Sequence, residues 1–124
     1  MDHSPGFLAL VDSTRPRVHE ITVDEARVRQ AAGAHLIDVR EDCEWAAGHA
    51  TGATHLGKGV IERDVERAVP EKDAEIVLYC GGGYRSVLAA DVLRRMGYTN
   101  VHSMAGGWRA WKAAGAPLEC PQGG

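Results

Sequence analysis

Apolar and polar positions along this chain follow two alternating rhythms, short apolar runs of strand length and stretches with helical spacing, punctuated by glycine and proline. His19–Ile21 reads as a short strand. Thr22-Val23-Asp24-Glu25 has the capping-box pattern, in which the Thr22 hydroxyl and the Glu25 carboxylate satisfy two free backbone donors. The helix it opens carries Val23 and Ala26 and stops at Gly33. His35–Val39 reads as a buried strand, Glu41–Ala47 as a short helix or turn ended by Gly48, and Gly52–Leu56 as a brief strand. A helical stretch covers Ile61–Val69, before Pro70. Glu75–Cys80 (EIVLYC) is the clearest strand, broken by Gly81-Gly82-Gly83. Tyr84–Met96 then repeats at helical spacing, with Leu88, Val92 and Met96 on one stripe joined by Ala89 and Leu93, and Gly97 stops it. Asn100–Met104 is a further strand, and a last helix with Trp108 and Trp111 ends at Gly115 and Pro117.

Strands alternating with helices at short spacing predict an α/β domain, with a mainly parallel sheet covered on both faces. Such sheets carry their functional loops at the carboxyl ends of strands. Residues 1–18 form an N-terminal extension, in which Ser4-Pro5 opens a short helix through Phe7, Leu8, Leu10 and Val11 that Pro16 stops; a frayed terminus fits equally. The domain then spans 19–118, and 119–124 reads as a flexible tail.

Composition narrows the function. The 124 residues suit one domain, and 44% hydrophobic with 25% charged residues is the ordinary globular balance. Fourteen basic against seventeen acidic residues give a net charge of −3, which argues against a nucleic-acid partner. No apolar run approaches the roughly 18 residues of a membrane helix, and no basic patch followed by an apolar stretch marks a secretory leader. Cys43, Cys80 and Cys120 make neither a disulfide framework nor a CxxC metal pair, so the expected setting is soluble, reduced and cytoplasmic. The histidines His3, His19, His35, His55 and His102 have no metal-ligand spacing.

Cys80 carries the chemistry. It ends the best strand, Gly81–Tyr84 forms a loop, and a helix begins near Arg85-Ser86. A helix N-terminus offers free N–H groups and about half a positive charge. Consecutive glycines can turn their amides inward as an anion nest, and Arg85 adds a permanent cation. Together these favour thiolate over thiol. A cysteine ending a buried strand is also a common small apolar core residue, but that reading leaves the glycine run, the arginine and the helix start unexplained. The loop lacks GxGxxG and GK[ST], which argues against nucleotide phosphate.

The segment from Cys80 to Ser86 (CGGGYRS) resembles the active-site loop of single-domain rhodanese sulfurtransferases. Leu36–Glu41 (LIDVRE), Glu44-Trp45, Gly48-His49 with Gly52-Ala53, and Gly106-Gly107-Trp108 with Trp111, Gly115 and Pro117 extend the resemblance from about His19 to Leu118. It implies the rhodanese-like fold, with a five-stranded, mainly parallel sheet between helices. It implies that Cys80 takes a sulfane sulfur from a donor such as thiosulfate, carries it as a persulfide and passes it to a thiophilic acceptor, cyanide or a thiol. Gly81, Gly82, Gly83, Tyr84, Arg85 and Ser86 would bind substrate, with Arg85 on the donor's oxyanion. The partners implied are a small sulfur donor and a thiol or cyanide acceptor, or a protein persulfide, with no membrane, metal or organic cofactor. Two alternatives stand beside this reading: a non-catalytic binding module on the same fold, and a cysteine-dependent phosphatase or arsenate reductase. Four residues separate Cys80 from Arg85, where the phosphate-handling relatives use five, and a shorter loop favours one sulfur over three phosphoryl oxygens.

Other residues are assigned supporting parts. Asp38 and Arg40 are expected to pair and prop the loop, with substrate binding by Arg40 as the alternative, and Glu44 to brace it. His49 reads as structural, Trp45 as part of an apolar rim, and Trp108 and Trp111 as core and cap. Tyr84 fits the pocket entrance and simple surface exposure equally well. Cys43 lies among Glu41, Asp42 and Glu44, which disfavour its thiolate, and Cys120 falls in the tail. Gly123-Gly124 reads as a plain terminus rather than a carrier-protein ending.

Overall fold

The IVLY stretch of the EIVLYC run becomes the centre of a sheet whose neighbours and layers account for its continuous apolar character. A computed structural model describes residues 3–120; Gly123-Gly124 lie outside the described residues. In chain order it contains α1 (Pro5–Thr14), β1 (His19–Ile21), α2 (Val23–Ala31), β2 (His35–Asp38), α3 (Asp42–Ala47), β3 (His49–Ala50) and β4 (Thr54–His55). These are followed by α4 (Ile61–Ala68), β5 (Ile76–Tyr79), α5 (Arg85–Arg95), β6 (Val101–Met104), α6 (Gly107–Ala113) and β7 (Leu118–Glu119). Five strands pair in parallel in the order β1-β6-β5-β2-β4. Strand β5 is hydrogen-bonded on both sides and buried along its whole length, which is why it reads as continuous apolar sequence.

The two faces divide the strand residues. Ile76, Leu78 and Cys80 point with Ile37 and Val39 toward Ile61 and Val65 of α4 and Ala89, Ala90 and Leu93 of α5. Val77 and Tyr79 point with Leu36, Ile21 and Met104 toward Ala26 of α2 and Trp111 of α6. The capping box at Thr22 and Glu25 opens α2.

Two features differ from the sequence expectation, and the extension takes the helical one of its two readings. On α5 the inward side is Ser86, Ala89, Ala90 and Leu93, while Leu88 and Val92 are only half-buried. Small alanines let the helix approach the sheet closely, so the larger residues of the expected stripe fall on its flank. The extension forms α1 and a single 3-10 turn at Arg15–Arg17, and it is fastened to α5 by Arg17, whose guanidinium spans both Asp91 oxygens at 3.1 and 3.2 Å. Residues Leu118–Glu119, partly in the expected tail, pair antiparallel with His49–Ala50. A two-residue ribbon between distant segments has no periodicity to read.

One edge of the sheet carries a polar cluster. The His102 and His19 Nδ1 atoms lie 2.7 Å apart, and His102 Nε2 lies 2.9 Å from Glu75, which Arg29 also binds. If His102 donates from Nε2 to Glu75, its Nδ1 is left to accept from His19. Protonating it would set two N–H groups face to face. Burial pushes His102 below the ordinary imidazole range, with the charges of Arg29 and His19 adding to the effect and Glu75 opposing it. A depressed histidine contributes stability that is complete above its unfolded value near 6.5 and is lost as pH falls below it. The melting temperature is therefore expected to fall more steeply between about pH 7 and 5 in the parent than in His102→Gln. Equal slopes would remove this cluster from the acid response.

Candidate active site

Strand pairing ends at Tyr79, whose carbonyl accepts from Val39 N–H at 2.9 Å, and the chain turns at Cys80. Cys80 is 1% exposed. Its Sγ accepts from the Gly83 N–H at 3.2 Å and the Ser86 N–H at 3.4 Å, and lies 3.5 Å from Ser86 Oγ. Ser86 Oγ in turn meets Ser103 Oγ on β6 at 2.8 Å. The amide of Gly83 reaches the sulfur through a left-handed turn, φ +97°, and a Cβ there would stand 3.0 Å from the Gly106 nitrogen. Such a backbone favours glycine for both reasons.

The loop carbonyls are held from the other side. Trp108 N–H donates to Cys80 C=O at 2.6 Å and Arg109 N–H to Gly81 C=O at 3.1 Å, so the first turn of α6 sits directly on the loop. Gly107 makes that approach feasible: its φ is +53°, and a Cβ would overlap the Cys80 carbonyl oxygen.

Arg85, expected on the donor's oxyanion, lines the cavity beside Cys80 and is held there by Glu44. Its two terminal nitrogens bind the two Glu44 oxygens at 2.9 and 3.1 Å. Hydrogen bonding to Arg85 holds the Glu44 carboxyl below its usual range despite partial burial. Glu44 also accepts from the Glu41 N–H at 3.1 Å in a second capping box. The guanidinium expected on the donor's oxyanion is thus clasped to the residue expected to brace the loop, and its charge is compensated.

Asp38 and Arg40 form a buried pair, with Arg40 contacts to Asp38 at 2.8 and 3.1 Å. Arg40 also donates to the Gly48 carbonyl at 2.6 Å and lies 4.8 Å over the Trp108 ring. Its reach to the loop is therefore indirect, through the tryptophan whose amide holds Cys80. Burial, with Asp38 alongside, pushes the Tyr79 phenol far above its usual range, so it stays neutral, and it accepts from the Ala50 N–H at 3.0 Å.

A cavity of about 670 Å³ opens over Cys80, Gly81 and Gly82, with Tyr84 on its wall. Tyr84 lies 4.6 Å from the His3 ring and 6.3 Å from Phe7, so the N-terminal extension builds one side of the cavity. Trp108, expected as core or cap, also lines the cavity, together with Arg109 and Lys112. Sequence reading missed these two cations, although Trp108, Arg109 and Lys112 share a helical face in the first turns of α6. Trp45 is not at this rim; it stacks on His49 at 3.5 Å and on His55 at 4.9 Å. His49 bonds the Trp45 carbonyl and Glu119, both at 3.1 Å, and takes no part in the cavity. Cys43 and Cys120 are exposed, and a Cβ at Gly48 would lie 3.2 Å from the Cys120 sulfur. Among the described residues no cluster of histidine, cysteine and carboxylate side chains could hold a metal ion. No helix among them is long and apolar enough to cross a membrane.

Comparison with known proteins bears on this geometry. The family model for rhodanese-like domains matches residues 22–114. A thiosulfate sulfurtransferase GlpE of Pseudomonas entomophila is 36% identical over 103 residues, covering 83% of this chain and 92% of the relative. GlpE of Haemophilus influenzae is 35% identical over 100 residues, covering 81% and 93%. Among solved structures, a Rhodopseudomonas palustris protein of unknown function, described as a possible tyrosine phosphatase, superposes with a TM-score of 0.83 at 28% identity, covering 96% of this chain and 98% of its own. The human single-domain sulfurtransferase TSTD1 gives 0.69 at 29% identity, covering 76% and 95%.

Close packing of α6 on the loop generates a test of the scaffold. Gly107→Ala is expected to cost about 1–3 kcal/mol in denaturant unfolding, since backbone must move to admit the methyl. Gly59, with open space around its Cα and no left-handed φ, gives the control: Gly59→Ala should stay within about 0.5 kcal/mol of the parent. Equal costs would mean that the loop and α6 are not in the contact described.

Proposed function

The chain belongs to the rhodanese-like domain family, and on that premise we propose that its reaction runs through a persulfide on Cys80. The protein is a sulfurtransferase of the thiosulfate sulfurtransferase type, moving a sulfane sulfur from a donor to a thiophilic acceptor. The observation that carries the cysteine assignment is the pair of backbone N–H groups aimed at Cys80 Sγ, at 3.2 and 3.4 Å, beneath the mouth of the cavity. Hydrogen bonds to an anion are stronger than those to a neutral atom, so these donors favour sulfur whenever it is negative.

Both half-reactions keep sulfur negative. The Cys80 thiolate attacks the outer sulfur of thiosulfate, a sulfur–sulfur bond forms, and the original one breaks with its electron pair departing on sulfite. The enzyme is left with a terminal persulfide anion. Cyanide carbon or an acceptor thiolate then attacks that terminal sulfur, and Cys80 leaves as the thiolate it was at the start. Electrons and atoms balance without a metal, a cofactor or an external reductant, and ping-pong kinetics follow. Gly83 and Ser86 hold the sulfur by their amides, Gly81 and Gly82 leave the approach open, and Tyr84 lines it. Asp38, Arg40, Glu44 and Arg85 support the loop. The donors and acceptors in this reading are small molecules, or a persulfide on another protein, and the setting is the reducing cytoplasm, in keeping with three unpaired cysteines.

The phosphatase reading fares less well in this site. A phosphoryl group presents three oxygens, and here the loop arginine is committed to Glu44 while two amides serve a single sulfur.

Incubation with thiosulfate is expected to raise the intact mass by one sulfur atom, and cyanide to remove it as thiocyanate. Cys80→Ser should accept no sulfur and lose turnover by roughly a thousandfold or more. p-Nitrophenyl phosphate should not be hydrolysed. A parent protein that gains no sulfur, or a Cys80→Ser variant that turns over like the parent, would overturn the reading.

A further inference from the structure

We propose that Arg109, seconded by Lys112, is an anion-recognising residue for the sulfur donor, acting beside a loop arginine whose charge Glu44 already offsets. The inference rests on the sulfurtransferase reading and names a specificity determinant within that site.

Three observations lead to it. First, the cavity has four guanidinium or ammonium side chains on its wall, Arg40, Arg85, Arg109 and Lys112. Arg40 is paired with Asp38 and Arg85 with Glu44. Neither Arg109 nor Lys112 has a carboxylate partner among the described residues, and both are exposed toward the cavity side of α6. Among the described residues, the guanidinium and ammonium groups on the cavity wall that lack a carboxylate partner are both on this helix.

Second, Arg109 is placed rather than loose. Its backbone N–H is fixed on the Gly81 carbonyl at 3.1 Å, and its guanidinium lies over Gly82, where a Cβ would come 3.8 Å from one terminal nitrogen. The triglycine loop has no side chain of its own to bind an oxyanion. The absence of side chains at Gly81 and Gly82 gives the Arg109 fork room to reach across the loop that holds Cys80.

Third, Lys112 is one helical turn from Trp108 and its Nζ lies 5.5 Å from that ring, so the ammonium is held at the cavity edge by a cation–π contact. Arg109 then supplies directional donors to the terminal oxygens of a dianion such as thiosulfate while Cys80 faces the sulfane sulfur, and Lys112 supplies long-range charge. A fork of planar donors suits the sulfonate end of a donor and has no counterpart in the acceptor half-reaction with a thiol.

Steady-state kinetics separate these parts. Arg109→Gln is expected to raise KM for thiosulfate by between about ten- and a hundredfold, the range for a hydrogen bond to a charged group, with kcat held within about twofold. The specificity constant for cyanide should stay unchanged, because ping-pong kinetics isolate the second half-reaction. Arg109→Lys should recover part of the loss, and Lys112→Gln should show a smaller rise that shrinks with added salt. In the Cys80→Ser background, where no sulfur moves, calorimetric binding of thiosulfate should weaken by the same factor on Arg109→Gln. An unchanged KM and unchanged thiosulfate binding in the Arg109→Gln proteins would overturn the inference. A parent that binds thiosulfate through Arg109 yet forms no persulfide would instead overturn the reaction assigned to Cys80.

Discussion

The loop after β5 keeps its shape because its carbonyls and its amides are claimed from opposite sides. The first turn of α6 donates to the carbonyls of Cys80 and Gly81, while the amides of Gly83 and Ser86 turn the other way, onto the cysteine sulfur. Without α6 the peptide planes at Cys80 and Gly81 would be free to rotate, and without the left-handed turn at Gly83 the amides would not converge. The glycines at 83 and 107 are the points where two backbones come too close for a side chain, and they hold the rest of the site in register.

Charge is organised around this frame in layers. Nearest the sulfur there are peptide dipoles and two serine hydroxyls, which cost no ion desolvation. One layer out, Arg85 and Glu44 cancel each other while fastening α3 to the start of α5. Asp38 and Arg40 do the same between β2 and Gly48, and Arg40 passes its position on to Trp108 by stacking. The outermost layer, on α6, is positively charged without compensation among the described residues. A site built this way aims peptide donors at the sulfur on its floor and carries positive charge at its rim.

Much of this was legible in the chain itself, and what escaped shares a cause. The Thr22–Glu25 capping box, the EIVLYC strand and the Cys80 loop are local patterns, each written within a few residues. Glu44 and Arg85 are individually conspicuous, but their pairing spans 41 positions and depends on how α3 packs beside the loop. The β3–β7 ribbon joins segments 70 residues apart in its His49–Glu119 contact and is too short for periodicity. Helical spacing centres the α5 stripe on Leu88, Val92 and Met96, whereas the sheet selects for small side chains where a helix must sit close. Arg109 carries no local signal, because nothing in its neighbourhood of sequence shows that α6 begins on top of the cysteine.

The central claim concerns the direction of two amides toward one sulfur, and a crystal structure of the protein after a thiosulfate soak tests it most directly. The account predicts one added sulfur atom bonded to Cys80 Sγ, inside hydrogen-bonding distance of loop N–H groups, with the segment from Cys80 to Ser86 keeping its backbone conformation and Trp108 N–H still on the Cys80 carbonyl. A triglycine segment turned outward to solvent, or a soaked crystal with sulfur attached elsewhere and Cys80 unmodified, would contradict it.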